Sequence, residues 1–276
     1  MQGHTTLKSK LTGDIPLCGT FIFSSDPATS EIAARAGFDF VIVDREHTSL
    51  SWRDVAAHVR ACDAVGVPSL VRVRRADADE IGHALDVGAQ GVVIPHFGLN
   101  REAAAGSVAA ARYAPLGNRG TCTGIRAAGY GLDDFGAAVA HANRDTLLMV
   151  QIEDVAAASA LDAILSQVSV DAILPGLADL STALGRPAAF AHPRVTALVD
   201  RILADAAKHN VPVGFYVANA QALSRWSGGD VRFCVYGIDY KVLAESYREA
   251  RTALDRQWKS GMGAGVHGGK PRGVGA

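Results

Sequence analysis

Lysine is scarce in this chain, and its scarcity disfavours one kind of chemistry. Only six lysines occur, and none lies within a stretch apolar enough to form a strand. A mechanism that forms a Schiff base needs a lysine amine at an inner strand position. The sequence therefore favours chemistry without a covalent lysine. The six are Lys8, Lys10, Lys208, Lys241, Lys259 and Lys270.

Long apolar runs, basic clusters and closely paired cysteines are also absent from the sequence. No apolar run approaches the roughly 20 residues that span a bilayer, and residues 1–11 lack the apolar centre of a signal peptide. A net charge of -1 and a pI near 6.7 argue against nucleic acid as a partner. The four cysteines form no Cys-x-x-Cys pair, which excludes zinc-ribbon and thioredoxin-type motifs. We therefore expect a cytoplasmic protein that binds neither membranes nor nucleic acid.

The sequence does contain a regular alternation of apolar runs and Ala-rich segments. Most of the apolar runs are continuous, as in parallel strands that are buried on both faces. The eight runs are Pro16–Phe23, Phe38–Asp44, Ser69–Val73, Gly91–Pro95, Thr146–Glu153, Val170–Pro175, Val211–Val217 and Val231–Tyr236. Eight β/α units in about 250 residues predict a single-domain (β/α)8 TIM barrel. An open doubly wound sheet of six or seven strands is the alternative.

Helix-like segments lie between these runs, and several follow a good capping residue, namely Ser51, Asp77, Asn100 or Asn219. Examples are Ala28–Ala36, Trp52–Val65, Ala78–Val87, Arg101–Tyr113, Val155–Ser166, Pro193–His209 and Tyr240–Trp258. A loop over residues 114–135 breaks the alternation and is long enough for a lid, a binding loop or a subunit contact. We expect the barrel domain to occupy residues 1–258 and a Gly-rich disordered tail to occupy residues 259–276.

Seven polar residues lie at or just past the ends of four apolar runs. The carboxyl ends of barrel strands meet at one rim, so these side chains are predicted to form one site. They are Asp44, Glu46, His47, Arg72, Gln151, Glu153 and Asp179.

Glu153 and Asp179 are the carboxylates that this rim would bring together. They could act as a general acid/base pair, as ligands of a hard divalent cation such as Mg²⁺ or Mn²⁺, or only as caps of the helices that follow. His47 is a candidate general base, with a structural histidine as the simpler interpretation. Arg72 suits carboxylate binding or oxyanion stabilisation, with a surface ion pair as its simpler interpretation.

The turns after the last two strands narrow the substrate class. Phosphate-binding barrels usually have Gly-rich turns there, but these turns read YVANAQ and YGIDYK, with one glycine between them. Together with the missing inner lysine, this favours a metal-dependent reaction on a non-phosphorylated substrate. The tight turn Gly176–Asp179 has backbone N–H groups that could hold an anion such as a carboxylate.

Several motifs together resemble those of the HpcH/HpaI aldolase family of metal-dependent class II pyruvate aldolases. The matching stretches are GFDFVIVDREH, LVRV, ALDVGAQGVVIPH, YAPLGNRG with RAAGYG, VQIED, VDAILPGLADLS and VANAQ, over roughly residues 11–253. The resemblance implies a (β/α)8-barrel lyase. Such an enzyme reversibly joins pyruvate, or a close 2-oxo acid, to an aldehyde through an enolate held at a divalent metal.

The resemblance also implies which residues bind the metal and the 2-oxo acid. Glu153 and Asp179 would hold the metal, which would be Mg²⁺ or Mn²⁺, with Co²⁺ or Zn²⁺ as alternatives. The backbone of Gly176, Leu177 and Ala178 would hold the substrate carboxylate.

The remaining roles that the resemblance implies concern charge and proton transfer. Arg72 would bind substrate by stabilising the enolate oxygen. His47, paired with Asp86, would act as the acid/base. The supporting residues near the metal would be Gln151, Asp44 and Glu46.

Members of the family are commonly hexamers, built as trimers of dimers, in which the last helix is exchanged between neighbours. Here that helix would be Tyr240–Trp258. The sequence also departs from the family pattern at four positions. Arg45 stands where Gly is typical, Leu177 replaces a common Pro, and Tyr216 and Tyr240 stand where smaller residues are usual. These differences leave the aldehyde acceptor open.

Two other functions compete with this hypothesis. A CoA-ester lyase of the malyl- or citramalyl-CoA kind shares the barrel and the paired carboxylates, but the order of the EH and GLADLS motifs disfavours it. A non-catalytic barrel that only binds a 2-oxo acid or a protein partner is the alternative from another class. The presence of Glu153, Asp179, Arg72 and His47 together favours catalysis.

Overall fold

Eight parallel strands close into a barrel in the order in which they occur along the chain. The computed structural model describes residues 6–13, 15–224 and 231–264. The strands are β1 (Leu17–Ile22), β2 (Phe40–Asp44), β3 (Ser69–Arg72), β4 (Gly91–Ile94), β5 (Leu147–Ile152), β6 (Ala172–Pro175), β7 (Val213–Val217) and β8 (Val231–Ile238). The sheet is closed because β1 pairs with both β2 and β8. This confirms the predicted (β/α)8 barrel and excludes the open-sheet alternative.

Helices surround the barrel and connect its strands. They are α1 (Leu7–Leu11), α2 (Ala28–Arg35), α3 (Trp52–Val65), α4 (Ala78–Asp86), α5 (Arg101–Ala110), α6 (Phe135–Asp145), α7 (Val155–Ser159), α8 (Leu161–Leu165), α9 (Leu177–Ala183), α10 (Pro193–Lys208), α11 (Ala220–Leu223) and α12 (Asp239–Ala264). Side-chain caps at Ser51, Asp77, Asn100 and Asn219 are confirmed.

The structure differs from the sequence predictions in several helical regions, and it adds α1 and α6 to the predicted segments. The predicted helix over 155–166 is divided at Ala160, whose backbone leaves the helical region. The loop over 114–135 contains a short 3-10 segment, Arg126–Gly131. Helix α12 continues to Ala264, past the predicted end at Trp258. The rest of the predicted tail, residues 265–276, lies outside the described residues.

Two apolar layers lie on opposite sides of the strands. One fills the barrel interior with side chains such as Phe40, Leu70, Met149 and Phe233, and the other packs the outer strand faces against the helices. Within the described ranges, no helix is both long and apolar enough to cross a membrane.

Helix α1 closes the amino-terminal end of the barrel. Its Leu7 and Leu11 are 2% exposed and pack into the interior layer, next to the starts of several strands. An ion pair of 2.8 Å joins Lys8 Nζ to Asp171 Oδ1, just before β6. Asp171 also accepts a hydrogen bond of 3.0 Å from Arg112. With this end filled, the carboxyl-terminal rim is the end left for polar side chains.

The contribution of α1 can be measured by truncating one of its buried leucines. We expect Leu7→Ala to lower the free energy of unfolding by about 3 kcal/mol, because it leaves a cavity in the interior layer. Urea denaturation measures the change, with Lys10→Ala on the same helix as the matched control. An effect of Leu7→Ala no larger than that of Lys10→Ala would show that α1 does not seal the barrel.

Candidate active site

The seven strand-end residues all lie at the carboxyl-terminal rim. Asp44 and Arg72 are the last residues of β2 and β3, and Gln151 lies near the end of β5. Glu46, His47 and Glu153 follow within three residues of a strand end, and Asp179 lies in the first turn of α9 after β6. The barrel topology therefore places all seven residues at the predicted rim.

A buried ion pair between Asp44 and Arg72 forms the centre of the site. Arg72 Nε donates to Asp44 Oδ1 at 2.5 Å, and Asp44 is 0% exposed. The Arg72 guanidinium also donates to Gln151 Oε1 at 3.2 Å and lies 3.3 Å from Glu46 Oε2. It sits over the Phe21 ring, 4.5 Å from the centroid. These contacts hold the guanidinium in one orientation.

Asp44 also organises the loop that follows β2. Its carboxylate accepts the backbone N–H groups of Glu46 at 3.2 Å and of His47 at 2.9 Å, as aspartates do in turns. Its carbonyl accepts the Thr48 hydroxyl. Glu46 and His47 are therefore presented at the rim by the same carboxylate that holds Arg72.

Glu153 is held by donors on two sides and by a close backbone. Gln151 Nε2 donates to Glu153 Oε2 at 3.0 Å, and the His96 N–H donates to Glu153 Oε1 at 2.7 Å. A Cβ at Gly176 would lie 2.4 Å from the Glu153 Cβ and 2.7 Å from its Oε2. Only glycine leaves room for this carboxylate, which explains the glycine at the start of α9.

His96 also lies in the site, although it was not among the residues predicted from the sequence. Its Nδ1 lies 3.1 Å from Asp154 Oδ2 and 3.6 Å from Glu153 Oε1, and its Nε2 lies 3.8 Å from Glu46 Oε1. Its backbone has a positive φ of 49°. The strand-end rule that found the other residues would have found His96, since it follows the apolar run Gly91–Pro95 directly.

The site has more negative than positive groups. Burial and these neighbouring charges together shift the pKa values of its members. Burial raises the pKa of Glu46, and the nearby Arg72 offsets this only in part. Burial also raises the pKa of Glu153, against the hydrogen bond from His96. Asp179 adds to both increases through its charge. Burial lowers the pKa of His96, but Glu153 and Asp154 outweigh it, so that the net shift is upward.

Three of these side chains could hold a metal ion. One ligand atom each from Glu46, His96 and Glu153 lies within 4.8 Å of the others. Glu46 Oε2 is buried and accepts no hydrogen bond from the described residues. Buried carboxylate oxygens with an incomplete set of partners, beside an imidazole, fit a divalent cation. Asp179 is exposed and lies outside this trio, although its charge acts on Glu46 and Glu153.

The two residues of the expected acid/base pair, His47 and Asp86, have different neighbours in the chain. The His47 side chain is 63% exposed, and its Nε2 lies 3.6 Å from Glu46 Oε2. Asp86 ends α4, the helix that runs back toward the amino ends of the strands, and its Oδ1 accepts a 2.7 Å hydrogen bond from Arg119. The expected pairing of His47 with Asp86 therefore stays a prediction.

The residues that depart from the family pattern lie in different surroundings. Arg45 is 4% exposed and directs its guanidinium to Trp52 rather than to the carboxylates of the site. Tyr216 is half-buried near Phe21, at 6.3 Å between ring centroids. Tyr240 is 55% exposed at the start of α12. Leu177 begins α9, directly after Gly176.

The closed parallel barrel and its charged carboxyl-terminal rim define a (β/α)8-barrel enzyme. The sequence pattern of the HpcH/HpaI aldolase/citrate lyase family matches residues 17–246. The chain belongs to this family, and it is a lyase that cleaves carbon–carbon bonds.

Relatives and a solved structure agree with this assignment. The chain is 30% identical over 237 residues to a 2-dehydro-3,6-dideoxy-6-sulfogluconate aldolase from Pseudomonas putida, covering 86% of this chain and 91% of the relative. It is 30% identical over 251 residues to a hydroxypyruvate/pyruvate aldolase from Paraburkholderia phytofirmans, covering 88% and 95%. The crystal structure of an HpcH/HpaI aldolase from Desulfitobacterium hafniense DCB-2 superposes with a TM-score of 0.84 at 29% identity, covering 90% and 96%.

The close approach of Gly176 to Glu153 can be tested directly. We expect Gly176→Ala to weaken Mn²⁺ binding at least tenfold, because the added methyl group must displace the Glu153 side chain. Isothermal titration calorimetry measures the affinity. Gly106→Ala on α5, where a Cβ meets no atom within 4 Å, is the matched control. Unchanged Mn²⁺ affinity in a folded Gly176→Ala protein would remove Glu153 from the metal site.

Proposed function

We propose that this chain is a metal-dependent aldolase that reversibly joins pyruvate, or a close 2-oxo acid, to an aldehyde. The observation that supports this most strongly is the convergence of a fixed guanidinium, Arg72, with the buried carboxylates Glu46 and Glu153 at one rim. Aldol cleavage needs a cationic environment for the enolate oxygen. It also needs a group that removes the proton from the substrate hydroxyl. The rim offers both.

Glu153 is the central metal ligand in this proposal, and Asp179 is the second. The alternative second ligands are Glu46 and His96, which the geometry brings nearer to Glu153. Oxygen ligands favour Mg²⁺ or Mn²⁺, whereas an imidazole in the set extends the choice to Co²⁺ or Zn²⁺. A divalent cation there supplies Lewis-acid polarisation of the keto oxygen.

Arg72 and Gln151 act on the substrate oxygen that gains charge. Asp44 fixes the Arg72 guanidinium, so a donor is already aimed at the enolate oxygen and needs little reorganisation. Gln151 links Arg72 to Glu153 by hydrogen bonds of 3.2 and 3.0 Å. The first N–H groups of α9 after Gly176 have no carbonyl of their own helix to bond to. This supports the predicted carboxylate binding at Leu177 and Ala178, whereas the Gly176 N–H already donates to the Ile152 carbonyl at 3.0 Å.

His47 carries the proton in this proposal. Its backbone is held by Asp44, while its imidazole is 63% exposed at the mouth of the site. An imidazole in that location is accessible to the aldehyde end of a bound substrate, and either ring nitrogen can take part in proton transfer. Asp86, which accepts a 2.7 Å hydrogen bond from Arg119 within the chain, is the proposed partner of His47.

The separate roles of the metal ligand and the guanidinium give a testable pair of variants. We expect Glu153→Gln to abolish both Mn²⁺ binding and retro-aldol turnover, because it removes the ligand charge. We expect Arg72→Met to lower kcat roughly 100-fold or more while Mn²⁺ still binds, because the lost donor acts on the enolate. Calorimetry gives the affinity, and coupled detection of released pyruvate gives the rate.

An aldehyde panel with pyruvate, read by mass, supplies the substrate for these assays. Arg75→Met, an exposed arginine just after β3, is the control for charge removal. Full turnover by the metal-stripped enzyme in excess EDTA would contradict the proposed metal dependence. Binding of oxamate without turnover on any aldehyde would support the non-catalytic barrel instead.

We also propose that the chain assembles into a hexamer, as a trimer of dimers that exchange α12. Six large apolar side chains on α12 are exposed in the single chain, although apolar groups of this size favour burial. They are Tyr240, Val242, Leu243, Tyr247, Leu254 and Trp258. The cytoplasmic location expected from the sequence stays a prediction.

Replacing one of these side chains tests the assembly. We expect Leu243→Asp to shift the molar mass toward smaller species, because it places a charge on a surface that a neighbouring chain would cover. Light scattering coupled to size-exclusion chromatography measures the mass. Arg248→Asp, a charge change on the same helix, is the control. An unchanged mass for Leu243→Asp, or a monomeric wild-type chain, would contradict exchange of α12.

A further inference from the structure

Arg45 is a buried arginine placed between two residues of the site. It follows Asp44 and precedes Glu46, yet its side chain is only 5% exposed and contacts none of the carboxylates that surround Arg72. Its position in the sequence had left open a role in choosing the substrate. The contacts of its guanidinium indicate a different role.

The Arg45 guanidinium ties the loop after β2 to two neighbouring helices. It stacks on the Trp52 ring of α3 at 3.7 Å from the centroid and pairs with Glu80 Oε1 of α4 at 3.1 Å. It also donates to the carbonyl of Leu50 at 3.1 Å, which closes the loop on itself. Trp52 is in turn stacked on His83 of α4 at 5.4 Å.

The backbone of Arg45 joins the same loop to the strand that carries Arg72. Its N–H donates to the Arg72 carbonyl at 2.9 Å, and its own carbonyl accepts a 3.2 Å hydrogen bond from Arg74 Nε. The loop over residues 45–51 is therefore held in three ways. Its start is hydrogen-bonded to β3, the Arg45 guanidinium bonds the Leu50 carbonyl near its end, and the same guanidinium stacks on Trp52 just past its end. Glu46 and His47 lie inside this enclosed segment.

Stability alone is a weak reason for this arrangement. Removing two charges from water costs free energy that an ion pair repays only when its hydrogen bonds are complete. In the described part of the chain, Arg45 Nε and Glu80 Oε2 are buried without a hydrogen-bond partner. The Arg45–Glu80 pair lacks some of its hydrogen bonds, but Arg45 connects the loop after β2 with α3 and α4 beside the site. These contacts fit a positioning role better than a purely stabilising one.

We propose that Arg45 is a positioning residue that holds the loop over 45–51 so that Glu46 and His47 face the metal and the substrate. The inference rests on the proposed function, since it concerns the same site. Arginine suits the role because its planar group can stack on Trp52 while it donates to Leu50 and Glu80, which lysine cannot do.

Arg45→Met, Arg45→Lys and Glu80→Gln test this inference in the full-length protein. We expect Arg45→Met to weaken Mn²⁺ binding several-fold, to lower kcat roughly 10- to 100-fold with little change in the KM for pyruvate, and to speed amide exchange over residues 46–51. Misplacement of about 1 Å is enough for a loss of this size. Arg45→Lys should recover part of each quantity, and Glu80→Gln should show smaller changes of the same kind.

Arg53→Met, an exposed arginine on α3, is the matched control and should behave as wild type. If Arg45→Met does not fold, Glu80→Gln carries the test, since it keeps the acceptor oxygen and removes only the charge. A folded variant that loses melting temperature but keeps wild-type Mn²⁺ affinity, kcat and amide exchange would overturn the inference. If wild type neither binds Mn²⁺ nor turns over, the proposed function fails, and amide exchange over residues 46–51 still decides whether Arg45 holds the loop.

Discussion

The buried pair of Asp44 and Arg72 is the interaction on which the site depends. Asp44 has no exposed surface and accepts a charged donor on one side and the loop N–H groups of Glu46 and His47 on the other. An unpaired charge at this depth would be costly, so each partner requires the other. The pair therefore determines both where the guanidinium points and where the loop after β2 begins. Glu153 is linked to it through Gln151, which makes one connected network of the rim.

The barrel is asymmetric along its axis, and this explains why polar groups gather at one end. At the amino-terminal end, α1 fills the opening with Leu7 and Leu11. At the other end, β2 and β3 finish in the charged residues Asp44 and Arg72, and the sheet register brings these two residues level. Burial in this rim also raises the pKa of Glu46 and Glu153, because it disfavours their charged forms.

Most of this arrangement could be predicted from the sequence, because strand periodicity and strand order determine which residues share a rim. His96 was missed because that rule was applied to only four of the eight strand ends. Asp86 is a different case: its chemistry suits a partner of a histidine, but its hydrogen bond with Arg119 could not be read from the sequence. Arg45 is a third case, since the direction of a long side chain depends on neighbours such as Trp52 and Glu80 that lie on other helices.

The sequence by itself determined the barrel, the rim and the identity of seven groups that lie there, since these follow from periodicity and from what ends each strand. The absence of an inner lysine was equally visible without coordinates. Only the tertiary structure decided which of these groups touch: that Gly176 makes room for Glu153, that His96 joins the carboxylates, and that Arg45 faces outward to α3 and α4. The physical reason is that hydrophobic pattern acts along the chain, whereas distances between side chains depend on how separate elements pack.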